Sequence, residues 1–255
     1  MLGNSAQTWD SLWNGIDLAE QVHRLAKEKA GIRWKRMTDI LRREFGSIQN
    51  LRCVELGAGL ATVSTLLAQE GADISIIDYS PKALDICRSV LEKLGVKATF
   101  YQANGLSLPD ELTGRFDVSM SFGLTEHFLA ENRIAINKAH LNLLRSGGLT
   151  FISVPNAWCP PYRLFKFVAE ASGRWNMAEE YPYSRRELLR VANQIGAQSA
   201  SIFGDDFWDA LRFVSPFRFG RKLLKLPESK RIRRERGTPA DAYIAYAIVL
   251  CAKKP

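Results

Sequence analysis

Apolar and polar positions along this chain follow two rhythms, and the change from one to the other marks out its elements. Short apolar runs ending at polar or glycine residues read as strands at Cys53 to Leu56, Asp73 to Asp78, Val96 to Gln102, Phe116 to Gly123, Leu149 to Asn156, Gln198 to Phe203 and Tyr243 to Lys253. Between them, three-and-four spacing predicts helices from Leu18 to Lys29, Arg33 to Phe45, Thr62 to Ala68, Pro81 to Leu94, Glu131 to Leu144 and Ser184 to Asn193. Strands that alternate with helices predict a mostly parallel sheet with helices on both faces.

Local punctuation supports these boundaries. Ser80-Pro81 supplies an N-cap and a proline at the first helical position, and Gly95 stops that helix. Ser184-Arg185-Arg186-Glu187 has the form of a capping box, and Gly196 follows its helix. Cys159-Pro160-Pro161-Tyr162 reads as a loop with two prolines.

One stretch organises the rest. Cys53-Val54-Glu55-Leu56-Gly57-Ala58-Gly59-Leu60-Ala61 reads as strand, tight turn and helix start. Glycines at 57 and 59 let backbone turn sharply and lie close to a ligand, and the helix start offers unpaired N–H groups to an anion. A dinucleotide fingerprint would need glycine where Thr62 stands, so that reading fails. Asp78 ends the second strand nineteen residues after Gly59, where a carboxylate can accept from both hydroxyls of a ribose. A turn or helix-capping aspartate is the other reading.

With these residues in place the chain resembles the class I S-adenosylmethionine-dependent methyltransferases, and within them the small-molecule group typified by ubiquinone and menaquinone biosynthesis. Four segments in the family's order carry the likeness: the Glu55/Gly57/Gly59 turn, Asp78, Glu126-His127 after the fourth strand, and Gly147-Gly148 leading to Pro155-Asn156. Ala61 stands where the family often has a third glycine, and Asn104 where it has an acid. The resemblance implies a Rossmann-like sheet of seven strands with the last antiparallel, a helical N-terminal extension, and S-adenosylmethionine as cofactor. It implies cofactor contacts at Glu55, Gly57, Ala58, Gly59, Asp78, Tyr79, Asn104, Gly105 and Phe122, with no metal. His127 is the candidate base, with Glu126 beside it, against a structural histidine that only shapes the pocket. His23 and His140 look incidental.

The length, 255 residues, suits one domain. Its expected parts are a helical cap over 1–50, a cofactor-binding core over 51–156, an acceptor-site insertion over 157–183 and a basic-apolar insertion over 205–239. Trp9, Trp13 and Trp34 either line the acceptor pocket or cover the sheet. The aromatic residues Trp158, Tyr162, Phe165, Phe167, Trp175, Tyr181 and Tyr183 are expected to cover the acceptor.

Charge changes the picture in one place. Residues 212–236 hold ten Arg or Lys and two Glu, a surplus of 10 − 2 = +8 that equals the net charge of the whole chain. A general nucleic-acid footprint is not indicated, and the acceptor is expected to be a small molecule. Apolar bulk beside this row suits peripheral contact with an anionic membrane through 208–236, against a packed helix with a solvated basic face. An RNA methyltransferase gripping backbone through the same segment, and a non-catalytic cofactor-binding protein, are the competing readings. Four separated cysteines, Cys53, Cys87, Cys159 and Cys251, read as reduced thiols. The start lacks a basic-then-apolar leader, and the apolar run Ala242 to Ala252 is short of a membrane span, so cytoplasmic residence is the expectation.

Overall fold

The structure, a computed structural model, describes residues 18–175, 178–205, 210 and 237–255. Chain order runs α1 (Leu18–Lys29), α2 (Ile32–Phe45), β1 (Arg52–Leu56), α3 (Thr62–Gln69), β2 (Asp73–Asp78), α4 (Pro81–Lys93), β3 (Thr99–Gln102), β4 (Phe116–Phe122), α5 (Ala130–Leu143), β5 (Leu144–Pro155), α6 (Pro160–Ala171), α7 (Arg185–Gln194), β6 (Ser199–Gly204), a short α8 (Asp241–Ile244) and β7 (Ala247–Lys253). The strands form one sheet in the order β3-β2-β1-β4-β5-β7-β6. Among the described strands only β7 is antiparallel, to β5 and to β6.

Period-two alternation decides which face each strand residue serves. Cys53, Ile74, Ile76, Val118, Met120, Phe151, Val249 and Cys251 pack on one side with Met37 and Leu41 of α2, Leu66 and Leu67 of α3, and Leu84 and Leu91 of α4. On the other, Val54, Leu56 and Ile77 meet Ile136, Ala139 and Leu143 of α5. Ile152, Val154, Ile248 and Leu250 meet Leu188 and Val191 of α7. Both faces are covered, as a parallel sheet requires. Trp34 is buried in the first of these clusters, which is the sheet-covering reading; Trp9 and Trp13 lie outside the described residues.

Caps act where the sequence places them. Ser80 Oγ accepts from the Ala83 N–H at 3.0 Å, and Ser184 and Glu187 form the reciprocal capping box. Three expectations are corrected. Cys159-Pro160-Pro161-Tyr162 opens α6 rather than forming a loop, because prolines in the first turn lose no N–H that the helix would use. The last strand starts at Ala247, not Tyr243, since Asp241–Ile244 forms a helical turn in which Asp241 accepts from the Thr238 hydroxyl at 3.0 Å. β5 begins at Leu144, earlier than expected, because Leu144 pairs with Phe116 across a register shift. There Asp117 takes Nε of Arg145 at 2.5 Å and the Arg52 N–H at 2.8 Å. All four cysteines are buried and free.

The topology reverses between β1 and β4. Chain leaving β3 crosses to the other half of the sheet, so a crevice opens outside the carboxyl ends of these two strands.

Candidate active site

A cavity of about 1070 Å³ occupies that crevice. Its wall comes from the turns after β1, β2, β3 and β4, the end of β5, and residues of α1 and α2 that roof it. All of Glu55, Gly57, Ala58, Gly59, Asp78, Tyr79, Asn104, Gly105, Phe122, Glu126 and His127 line it. The nine expected cofactor contacts and both candidate catalytic residues therefore converge on one space.

The glycine turn is shaped as its sequence demands. Gly57 has φ +67°, and a Cβ there would sit 2.7 Å from Cδ1 of Leu124. Its N–H donates to the Ile77 carbonyl at 2.8 Å, tying the tip of β1 to β2. Ala61, in the place of a third glycine, keeps a left-handed conformation with φ +48°. Asp78 is buried at the next strand tip, where burial raises its pKa against backbone N–H groups of Ser80, Gly59, Tyr79 and Ala58. Its Oδ1 accepts from Ser80 at 2.9 Å, so the turn role and a place on the cavity wall hold together. Asn104 spends its Oδ1 on the N–H of Leu106 at 2.9 Å, an Asx turn.

Glu55 is buried with Oε2 accepting from Ser64 Oγ at 2.5 Å. Burial pushes its carboxyl up to about 7, against the Ser64 hydrogen bonds and the Arg33 charge. Arg33, from α2, reaches the same wall. It pairs with Glu28 at 2.5 Å, approaches Asp205 at 4.0 Å and stacks 5.0 Å from the Phe122 ring centroid. Burial opposes its charge, but Glu28, Asp205 and Glu55 together hold the guanidinium more firmly protonated than usual. A zwitterionic group would thus meet an acid and a base side by side, with bare backbone between, and a ribose would meet Asp78. The residues present fit the nucleoside cofactor that the resemblance implies.

Across the cavity, the helical turn Thr125–His127 leaves β4. His127 Nδ1 lies 2.6 Å from the Glu179 carbonyl. Burial lowers its pKa below 6.5 although the Glu179 and Gly123 carbonyls favour the charged ring. A neutral ring that donates from Nδ1 keeps its basic lone pair on Nε2. Glu126 is buried, its Oε2 has no partner among the described residues, and burial followed by the charge of Glu180 pushes it up to about 8. Glu180 also lines the cavity and accepts from Tyr162 Oη at 2.8 Å. Ligand atoms of Glu126, His127 and Glu180 all lie within 4.8 Å of one another, a spacing that one cation could bridge.

Sequence reading missed Arg33 and Glu180. Arg33 lies in a helix with no motif, and Glu180 lies near the end of the 157–183 insertion, past the helix Pro160–Ala171, where no motif marks it. The expected aromatic cover differs too. None of the seven aromatic residues of 157–183 lines the cavity, and Trp158 and Phe167 face solvent with 71% and 69% of their surface exposed. His23, read as incidental, is part of the wall. The basic stretch 212–236 lies outside the described residues.

Comparison with known proteins bears on the family and the fold. A family model described as a methyltransferase domain matches residues 53–148. The chain is 28% identical over 167 residues to a ubiquinone biosynthesis O-methyltransferase of Bordetella avium, covering 64% of this chain and 68% of that one. It is 27% identical to the enzyme of the same name from Aromatoleum aromaticum, covering 60% and 66%. Among solved structures, magnesium protoporphyrin IX methyltransferase from Synechocystis with bound SAH aligns over 98% of this chain and 93% of its own, at TM-score 0.57 and 14% identity.

Proposed function

We propose that this chain, which belongs to the class I S-adenosylmethionine-dependent methyltransferases, methylates an oxygen of a small-molecule acceptor held between the glycine turn and His127. When bound, the cofactor supplies a methyl group on a positively charged sulfur and leaves as S-adenosylhomocysteine. Of the residues lining the cavity, Glu55 would hold its ammonium and Arg33 its carboxylate, with the backbone of Gly57, Ala58 and Gly59 against the methionine portion. Asp78, with Tyr79 beside it, would hold the ribose hydroxyls, and Asn104, Gly105 and Phe122 would border the base. Residues of α1 and α2 border the same cavity.

The observation that carries this reading is His127. It is buried, neutral at neutral pH and oriented by the Glu179 carbonyl, and it lines the same cavity as the glycine turn. At Nε2 it takes the proton of the acceptor hydroxyl as the oxygen attacks. Glu126, protonated, and Glu180 orient that hydroxyl. Support for a phenol or quinol acceptor comes from the names of the two relatives, each matched over about two thirds of its length.

A second reading has its own observation. With Glu126, His127 and Glu180 converging, a divalent cation could replace the base by lowering the acceptor's pKa. Chelation separates the two, because it abolishes turnover only if the cation is needed.

The chain is one domain, with 51–156 as core, 1–50 as cap, and 157–183 and 205–239 as additions. Residence is cytoplasmic, with peripheral membrane contact through 208–236; among the described residues no helix is long and apolar enough to cross a membrane. The test is incubation with S-adenosylmethionine and a panel of phenolic, quinol and sugar hydroxyls, read by mass. A gain of one methyl on oxygen supports the reading, and cofactor binding without turnover on any hydroxyl acceptor overturns it.

A further inference from the structure

The groups on the acceptor side of the cavity stand on two separate pieces of chain. Glu126 and His127 belong to the turn Thr125–His127, and Glu179 and Glu180 come shortly before α7. Neither piece is long enough to fix itself. A helical turn of this kind carries few and poorly aligned hydrogen bonds of its own, and 179–183 is tied to the sheet through the bridge between Tyr183 and Asn156. Yet His127 Nδ1 meets the Glu179 carbonyl at 2.6 Å, so the two pieces must be kept in register.

Arg133 of α5 supplies that register. It is buried, and its Nη1 donates to the carbonyl of Phe128 at 3.2 Å, just past the first piece, and to that of Tyr181 at 2.9 Å, within the second. Its Nε pairs with Glu187 of α7 at 2.9 Å, and its guanidinium carbon lies 3.4 Å from the centroid of the Tyr183 ring. The pieces also meet directly. The Tyr181 N–H donates to the Glu126 carbonyl at 2.8 Å, and the Tyr183 hydroxyl donates to the Thr125 carbonyl at 3.3 Å while accepting from Asn137 at 3.0 Å. A guanidinium suits this place because its donors spread in one plane while its face stacks on an aromatic ring. Two carbonyls, a carboxylate and that ring offset the cost of burying the charge. Arg133 itself stands outside the described cavity wall, so whatever it does for an acceptor passes through Glu126, His127 and Glu180.

We infer that Arg133 is a positioning residue for methyl transfer: it clamps the turn that carries Glu126 and His127 to the segment that carries Glu179 and Glu180, and so sets the His127 ring toward the acceptor. This deepens the proposed function and rests on the role given there to His127. The glycine turn and Asp78, at the tips of β1 and β2, lie on other elements and do not depend on the clamp.

The test is nitrogen NMR of the full chain with isotope-labelled histidine, the His127 signals being those that vanish in His127→Ala. The wild type should show a ring held as the Nδ1–H tautomer, and Arg133→Met a mixture of both tautomers in exchange. Turnover of the acceptor returned by the mass screen should fall about tenfold to a hundredfold in kcat, while S-adenosylmethionine affinity by calorimetry stays within about twofold. Arg133→Lys keeps the charge but cannot span both carbonyls and Glu187, so it should show the same changes at smaller amplitude. An unaltered His127 spectrum in folded Arg133→Met, or in Arg133→Lys where the first variant does not fold, overturns the inference. An equal loss of cofactor affinity, the mark of general loosening, overturns it too. If His127→Ala keeps full activity the base reading fails by itself, and the clamp is still decided by the spectrum.

Discussion

His127 Nδ1 lies 2.6 Å from the carbonyl oxygen of Glu179, a residue that reaches it from beyond α6. That contact fixes the ring's orientation and tautomer, and burial keeps the ring uncharged. His127→Ala should therefore slow methyl transfer by about a hundredfold or more while cofactor affinity stays within twofold, the range of a lost general base. Turnover with a fixed hydroxyl acceptor and calorimetry with S-adenosylmethionine measure the two effects. Full activity in the variant would exclude the base role. Loss of activity on chelation in the wild type would transfer the role to a cation held by Glu126, His127 and Glu180.

Gly57 and Ala61 make opposite predictions from one turn. At Gly57 a side chain meets Leu124 at 2.7 Å with φ +67°, so Gly57→Ala should lower cofactor affinity about tenfold or more and reduce stability. At Ala61, φ +48° is strained for an alanine, so Ala61→Gly should leave stability unchanged or raise it by up to about 1 kcal/mol. Urea midpoints and calorimetric affinities of the two variants decide the matter. A stabilised Gly57→Ala would show that the turn relaxes in solution.

Much of this site could be read before any coordinates, for a physical reason. A parallel sheet with crossover helices fixes where strand tips meet, so residues at the ends of consecutive apolar runs must share one crevice. Gly57, Asp78, Asn104 and His127 were legible because each ends such a run. Arg33 was not, because a roof helix has no register with the sheet, and its use depends on which face α2 buries. Glu180 was hidden for a similar reason. It reaches the cavity only because α6 forms, and α6 was obscured by a Pro-Pro pair that reads equally as a break or as a helix start. The aromatic residues of that insertion were assigned to the pocket by position alone, whereas helical spacing turns Phe167 outward and Trp158, ahead of the helix, is exposed too.

Glu55 couples cofactor binding to protons. Its carboxyl is held up to about 7 by burial, and an ammonium placed against it favours the ionised form. Binding should therefore expel a proton, and affinity should rise as pH goes from below this value to above it. Calorimetry in two buffers of different ionisation enthalpy reports the released proton directly. Glu55→Gln should flatten the pH dependence and weaken binding about tenfold. Equal enthalpies in both buffers for the wild type would mean that Glu55 is already ionised in the free chain.

His140 governs acid stability away from the site. It is buried in α5, neither ring nitrogen has a partner among the described residues, and burial pulls its pKa down to about 3. In the unfolded chain the same ring protonates near 6.5. The folded state thus holds the neutral form, so stability is fully present above 6.5 and is lost as pH falls toward 3, by up to about 1.4 kcal/mol per pH unit. His140→Leu removes the titrating group and two orphaned polar atoms at similar volume. It should gain about 1–3 kcal/mol at neutral pH and unfold at a lower pH than wild type. Urea midpoints at pH values on either side of 6.5 separate the two parts of this prediction. If the wild type and the variant lose stability in parallel on acidification, His140 is not the group that takes up the proton, and its ring must find a partner in solution.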